Sequence, residues 1–107
     1  MKAPRRNIRI IAERAGKEQM DIYMDISGQK EYLMRHRYNY KLFSLLKDSI
    51  HIEQLRRSTE HYKLRGYKRN PSQRRLSQAL ENSMTHLMTV ADEYIRYELS
   101  SLVSPAA

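Results

Sequence analysis

The chain has 107 residues and a formal net charge of +8, from 20 Lys and Arg against 12 Asp and Glu. It contains no cysteine, which excludes disulfide bonds, thiolate metal sites and thiol nucleophiles. Its apolar residues, 40% of the total, recur periodically, and no uncharged apolar run approaches the roughly 20 residues of a membrane span. We therefore expect a single soluble, cytoplasmic domain over residues 1–107, with no membrane partner.

The N-terminal part of the chain predicts a β-hairpin over residues 7–27. Apolar and polar residues alternate in both halves of this segment. Between the halves, Arg14-Ala15-Gly16 suits a three-residue loop with Gly16 in the left-handed conformation, and in that register Ile10 faces Met20. A lone hairpin is marginal in water, so its apolar face must pack on helices or its edge must pair with another chain.

Two helices are predicted next, at about 30–47 and 52–57. The first follows from apolar residues spaced three and four apart, from Met34 to Leu46. The second would bury Ile52 and Leu55. Residues 58–69 are polar and basic, with a glycine inside, and predict an exposed loop.

The last predicted helix covers about 72–102. Asn70 is a candidate N-cap, and it is followed by Pro71 at the first helical position. Together these elements give an α+β fold, mostly α, with three helices behind a two-stranded hairpin and a frayed tail at 103–107.

The length of this helix predicts a dimer. About thirty residues would span about 45 Å, longer than a compact domain of this size, so part of the helix should pack against a second copy. The predicted homodimer contacts are the apolar stripe Leu80, Met84, Leu87, Ala91 and Tyr94.

No pattern typical of catalysis or metal binding is present in the sequence. Asp21 and Asp25 share a strand face but would lie roughly 13 Å apart, too far for a coupled carboxylate pair. The three glycines are isolated, and no serine lies in a nucleophile-elbow motif. The histidines lack metal-ligand spacing; they are His36, His51, His61 and His86. We therefore expect a non-enzymatic protein with no catalytic residue, metal or cofactor.

The charge distribution carries the strongest functional signal. Residues 51–75 hold eight Lys and Arg against two acids, whereas residues 76–107 hold one against four. Within 56–75 the cations are interleaved with His and Tyr, and cations neutralise phosphates while tyrosine rings stack on bases. The predicted nucleic-acid contacts are Arg56, Arg57, Lys63, Arg65, Tyr67, Lys68, Arg69, Gln73, Arg74 and Arg75. A solvated loop that keeps a dimer soluble is the alternative explanation.

A second pattern resembles the first two helices of a helix-turn-helix unit. A leucine-rich stretch at 42–46 is followed by a turn at 48–51 and a short helix at 53–57. On that hypothesis the start of the long helix would lie at the major groove of DNA. Its residues available to phosphates or base edges would be Gln73, Arg74, Ser77 and Gln78.

Two functions from different classes are compatible with these patterns. The first is a nucleic-acid-binding accessory protein, dimeric through the long helix, that contacts phosphates of DNA or RNA with 56–75 and additionally with Arg35, Arg37 and Lys41. The second is a protein-interaction or scaffold subunit whose basic middle docks an acidic partner protein and whose hairpin edge adds a strand to it.

Overall fold

The structure is a computed structural model that describes the backbone of residues 7–66 and 71–103 and the side chains of 7–63 and 78–98. Its elements in chain order are β1 (Ile8–Arg14), β2 (Gln19–Ile26), β3 (Gln29–Arg37), α1 (Tyr40–Leu46), β4 (Ile50–His51), α2 (Ile52–Gly66) and α3 (Pro71–Val103). The strands form one antiparallel sheet in the order β3-β2-β1-β4. The fold is therefore α+β with three helices, the last one long, but the sheet has four strands where two were predicted.

The predicted hairpin corresponds to β1 and β2, with a different register. Ile10 pairs with Met24 instead of Met20, and the connection has four residues instead of three. Because the register is shifted by an even number of residues, the same side chains still face the core. Gly16 has φ +98, as predicted for the loop.

The prediction of a helix over 30–47 is wrong for residues 30–37, which belong to β3. Ser27 and Gly28 have φ values of 53 and 94, and they connect Ile26 to Gln29, which pair across the strands. Positive φ at both central residues is the signature of a two-residue hairpin turn whose twist suits the flanking strands. This turn directs the chain into a third strand before any helix can begin.

A β-bulge explains why β3 did not show period-2 patterning. Tyr23 pairs with Tyr32, whereas the preceding residue of β2, Ile22, pairs with Met34, so Leu33 is the extra residue. Leu33 and Met34 are consecutive and both pack against the core. A bulge of this kind breaks the alternation of the strand and imitates helical spacing in the sequence.

The predicted loop at 58–69 is wrong for residues 58–66, which continue α2 to Gly66. Thr59 lies in the buried stripe of α2, and its hydroxyl donates to the carbonyl oxygen of Leu55 at 2.9 Å. This local bond lets a polar residue occupy an apolar position. Tyr62 continues the stripe and packs against the core.

The helix-turn-helix pattern is not formed as predicted. Five residues separate α1 from α2, and two of them form β4, in which Ile50 pairs with Ile10 of β1. A helix-turn-helix unit joins its helices by a turn of three or four residues. The strand that lies between α1 and α2 ties them to the sheet instead.

The long helix is confirmed as α3, which begins at Pro71 and runs to Val103. The predicted cap Asn70 and the end of the predicted tail, 104–107, lie outside the described residues. Side chains from the sheet and from all three helices form one hydrophobic core. The largest fully buried side chains among the described residues are Ile10, Met20, Ile22, Met24, Leu42, Leu46, Leu55, Met84 and Leu87.

Candidate nucleic-acid interface

The described part of the basic segment, residues 56–75, lies on two helices, α2 and α3, that contact each other. Arg56 near the start of α2 contacts Asp92 of α3, whereas Lys63, further along α2, lines a polar groove with Thr85 of α3. The two helices are therefore antiparallel. Five Cα steps separate Gly66 from the first residue of α3, so the two helix ends lie at most roughly 19 Å apart.

The structure places the predicted contact residues in three groups. Arg56, Arg57 and Lys63 have described side chains on α2. Arg65 lies in the last turn of α2, and Gln73, Arg74 and Arg75 lie in the first turns of α3, but their side chains are outside the described residues. The remaining predicted contacts lie entirely outside the described residues and are Tyr67, Lys68 and Arg69.

Arg56 forms an ion pair that links α2 to α3. Its two terminal nitrogens donate to the two carboxylate oxygens of Asp92, both at 2.9 Å, and its Nε lies 3.5 Å from Glu53. The hydrogen bonds from Arg56 lower the pKa of Asp92, and the carboxylate in turn raises the pKa of the guanidinium. Arg56 therefore joins α2 to α3, and its charge is already neutralised.

Lys63 also has an acidic neighbour, but a weaker one. Its Nζ lies 3.4 Å from a carboxylate oxygen of Glu60, and both side chains are substantially exposed. Solvent-exposed pairs of this kind contribute between about 0 and 1 kcal/mol. Lys63 could therefore leave Glu60 and bind a phosphate with little loss of free energy.

Arg57 is exposed and lies within ion-pair distance of no carboxylate among the residues whose side chains are described. It lines a shallow surface groove of about 320 Å³ together with Gln54, Ser58, His61 and Tyr62. Of the three predicted cations on α2 with described side chains, Arg57 is thus the one whose charge remains available to an external anion.

Two cations on the outer face of the sheet, Arg35 and Lys30, are less suited to phosphate because each is paired with an acid. Arg35 forms two hydrogen bonds with Asp21, at 2.8 and 3.2 Å, which lower the pKa of that carboxyl. Lys30 pairs with Glu13 and lies over the ring of Tyr23. Arg35, an additional predicted contact, is therefore neutralised.

The other two additional contacts, Arg37 and Lys41, are exposed and lack an ion pair with any residue that the structure describes. Arg37 is the last residue of β3, and Lys41 lies in the first turn of α1. Nearby, the guanidinium of Arg14 stacks on the ring of Tyr38, 3.7 Å from its centre. The charges of Arg37 and Lys41 therefore also remain available to an external anion.

Four of the five predicted dimer contacts are part of the chain's own core. Leu80, Met84, Leu87 and Ala91 are at most 4% exposed, and Tyr94 is half-buried against the same core. Burial within one chain leaves those four side chains no surface to offer a second copy. A dimer remains a prediction, and a contact through α3 would have to use Tyr94 or other residues of this helix.

No group of three or more His, Asp or Glu among the described residues could hold a metal ion. Over that same part of the chain, no helix has the length and apolar character needed to cross a membrane.

No protein-family model, curated protein or solved structure matches this chain.

Proposed function

We propose that this protein binds the phosphate backbone of nucleic acid through the basic segment 57–75, without catalysing a reaction. The observation that carries the proposal is the charge of this segment, which holds seven Lys and Arg against the single acid Glu60. Arg65 in the last turn of α2 and Arg74 and Arg75 in the first turns of α3 belong to two helix ends within roughly 19 Å of each other, whereas Arg57 and Lys63 lie earlier on α2.

The physical basis is the release of counterions. Each cation that neutralises a phosphate frees a condensed counterion from the nucleic acid, so several cations in one region give strong binding that weakens with salt. Arg57 is available for such a contact, and Lys63 needs only to leave an exposed partner. Arg56 no longer belongs to the proposed contact set because it is bound to Asp92.

The proposal is tested by removing charge at the connection between the two helices. Arg69, Arg74 and Arg75 are changed together to alanine, and affinity for duplex DNA, single-stranded DNA and RNA is measured by fluorescence anisotropy at two salt concentrations. We expect at least about a tenfold loss of affinity. The slope of the logarithm of the binding constant against the logarithm of salt concentration should become shallower by the amount expected for about three phosphate contacts.

A matched control removes the same total charge elsewhere. Lys17, Lys47 and Arg96 are exposed and lie outside the basic segment. Changing these three to alanine should leave most of the affinity intact. If both triple variants lose affinity equally, binding depends on overall charge and not on this segment; if neither does, the proposal fails.

A second candidate, an interaction subunit for an acidic protein, is favoured by the position of β3 at one edge of the sheet. The edge of the predicted hairpin is largely occupied. β2 is paired on both sides, and β1 is paired with β4 at Arg9 and Ile10. The edge strand β3 ends in the exposed Arg37. This candidate replaces the first if no nucleic acid binds at low salt while one acidic protein copurifies with the wild type and not with Arg37→Glu.

A further inference from the structure

The outer face of the sheet is the side that no helix among the described residues covers. The side chains of Ile10, Ile22 and Met24 point to the other side, where they form the core with residues of all three helices. Side chains alternate along a strand, so Ile11 and Tyr23 point away from the helices. Both are partly exposed to solvent.

A row of large side chains crosses this outer face from β1 to β3. Ile11 pairs with Tyr23, and Tyr23 pairs with Tyr32, so the three side chains lie beside one another on neighbouring strands. The rings of Tyr23 and Tyr32 meet edge to face with their centres 5.6 Å apart. Lys30 lies over the ring of Tyr23, whereas Tyr32 is 54% exposed. An aromatic centre surrounded by charged and polar residues is typical of protein–protein interfaces.

The outer face is nearly neutral, unlike the chain as a whole. Its charged residues mix both signs and are Arg9, Lys30, Arg35 and Arg37 with Glu13, Asp21 and Asp25. Lys30 is paired with Glu13, and Arg35 is paired with Asp21. Four cations and three acids leave the face close to zero charge, whereas the net charge of the chain is +8.

We propose that the outer face of the sheet is the contact between two copies of this chain, with Tyr32 at its centre. Like charges repel, so two copies of a strongly basic chain meet most favourably where each presents little net charge. A patch of mixed sign also suits a two-fold contact, in which the same surface meets itself. A polyanion or an acidic protein gains little here because the central cations are already paired.

The helix α3 is less suited to join two copies over its described side chains. Besides Asp92, which is paired with Arg56, residues 81–98 of α3 contain three acids and one cation. These are Glu81, Glu93, Glu98 and Arg96. Two copies that met along this helix would each present an excess of acids, and like charges across an interface oppose association.

A dimer of this kind leaves the basic segment uncovered. The helices α2 and α3 pack on the core side of the sheet through Leu55 and Leu87, so they lie on the outside when two sheets stack by their outer faces. Association does not require nucleic acid. It can therefore be measured whether or not the proposed function holds.

Association is tested with the full chain, without nucleic acid, by sedimentation equilibrium between about 1 μM and about 1 mM. We expect the wild type to pass from monomer to dimer within this range. Tyr32→Arg places an unpaired charge at the centre of the contact in both copies and should weaken dimerisation at least about tenfold. Tyr32→Phe keeps the ring and should keep the dimer.

The matched control is Tyr97→Arg, the same substitution at a tyrosine of α3 that is 70% exposed. It adds the same charge away from the proposed contact, where salt screens it, and should leave dimerisation nearly unchanged. Both positions are exposed, so both variants should fold, and circular dichroism checks that they do.

Three outcomes would overturn the inference. A wild type that remains monomeric at about 1 mM has no such contact. Equal dimerisation of Tyr32→Arg and the wild type would place the contact on another surface. A loss in Tyr97→Arg as large as that in Tyr32→Arg would assign it to α3 or to the added charge alone.

Discussion

Replacing Arg56 by alanine is expected to weaken the attachment of α2 to α3 and to leave nucleic-acid affinity nearly unchanged. The guanidinium makes two hydrogen bonds of 2.9 Å to Asp92, but the side chains are 40% and 38% exposed. Exposed pairs contribute about 0.2–1 kcal/mol, and the bidentate geometry places this one near the upper end, about 1 kcal/mol.

The contribution is measured by a double-mutant cycle in urea denaturation. Arg56→Ala, Asp92→Ala and the double variant are compared with the wild type, and the coupling energy should be about 1 kcal/mol at low ionic strength. It should fall in high salt, because the pair is exposed enough to be screened.

The pair also predicts a pH dependence. Arg56 lowers the pKa of Asp92 in the folded protein, so between the folded and the unfolded pKa the unfolded chain binds more protons and stability rises with pH. The stabilisation is complete above the ordinary carboxyl pKa of about 4 and is lost as the pH falls through the lowered value. The stability difference between wild type and Arg56→Ala should therefore shrink in acid.

Two results would refute this reasoning. A coupling energy below about 0.2 kcal/mol would mean that the pair does not hold the helices together. A tenfold loss of nucleic-acid affinity in Arg56→Ala, with unchanged stability, would mean that Arg56 leaves Asp92 and contacts the nucleic acid directly.

Three further changes test the fold itself. Leu87→Ala removes a fully buried side chain and should lower the free energy of unfolding, measured in urea, by about 2–5 kcal/mol. A loss below about 1 kcal/mol would contradict the place of Leu87 in the core. Gly28→Ala, at φ +94, should cost about 1 kcal/mol in thermal denaturation; an unchanged melting temperature would argue against the turn. Asn39 caps α1 by accepting from the backbone N–H of Leu42 at 3.0 Å, so Asn39→Ala should cost about 1 kcal/mol while Asn39→Asp costs little; equal effects would exclude the cap.

The elements that could be predicted from sequence are those whose local signals agree with their packing. The alternation of apolar and polar residues predicted β1 and β2. Pro71 and the long apolar stripe that follows it predicted α3. β3 was missed because its bulge at Leu33 broke the alternation. The signal that remained was the Ser27-Gly28 turn, which is informative only if both residues are assigned positive φ.

The sequence predicted that the candidate site is basic, but it did not predict how its side chains are arranged. Segment 58–66 was expected to be part of a loop because it is polar and basic and contains Gly66. The buried positions of α2 include the polar residue Thr59, so the apolar stripe of this helix is not visible in the sequence. The pairing of Arg56 with Asp92 joins residues 36 apart, and no local pattern could have indicated it.

The salt dependence of wild-type binding tests the phosphate-binding claim most directly. Affinity for a duplex is measured by anisotropy between 50 and 200 mM salt, and the logarithm of the binding constant is plotted against the logarithm of salt concentration. About five phosphate contacts from segment 57–75 predict a slope of about −4.5. Absence of binding at 50 mM, or a slope flatter than about −1, would contradict it.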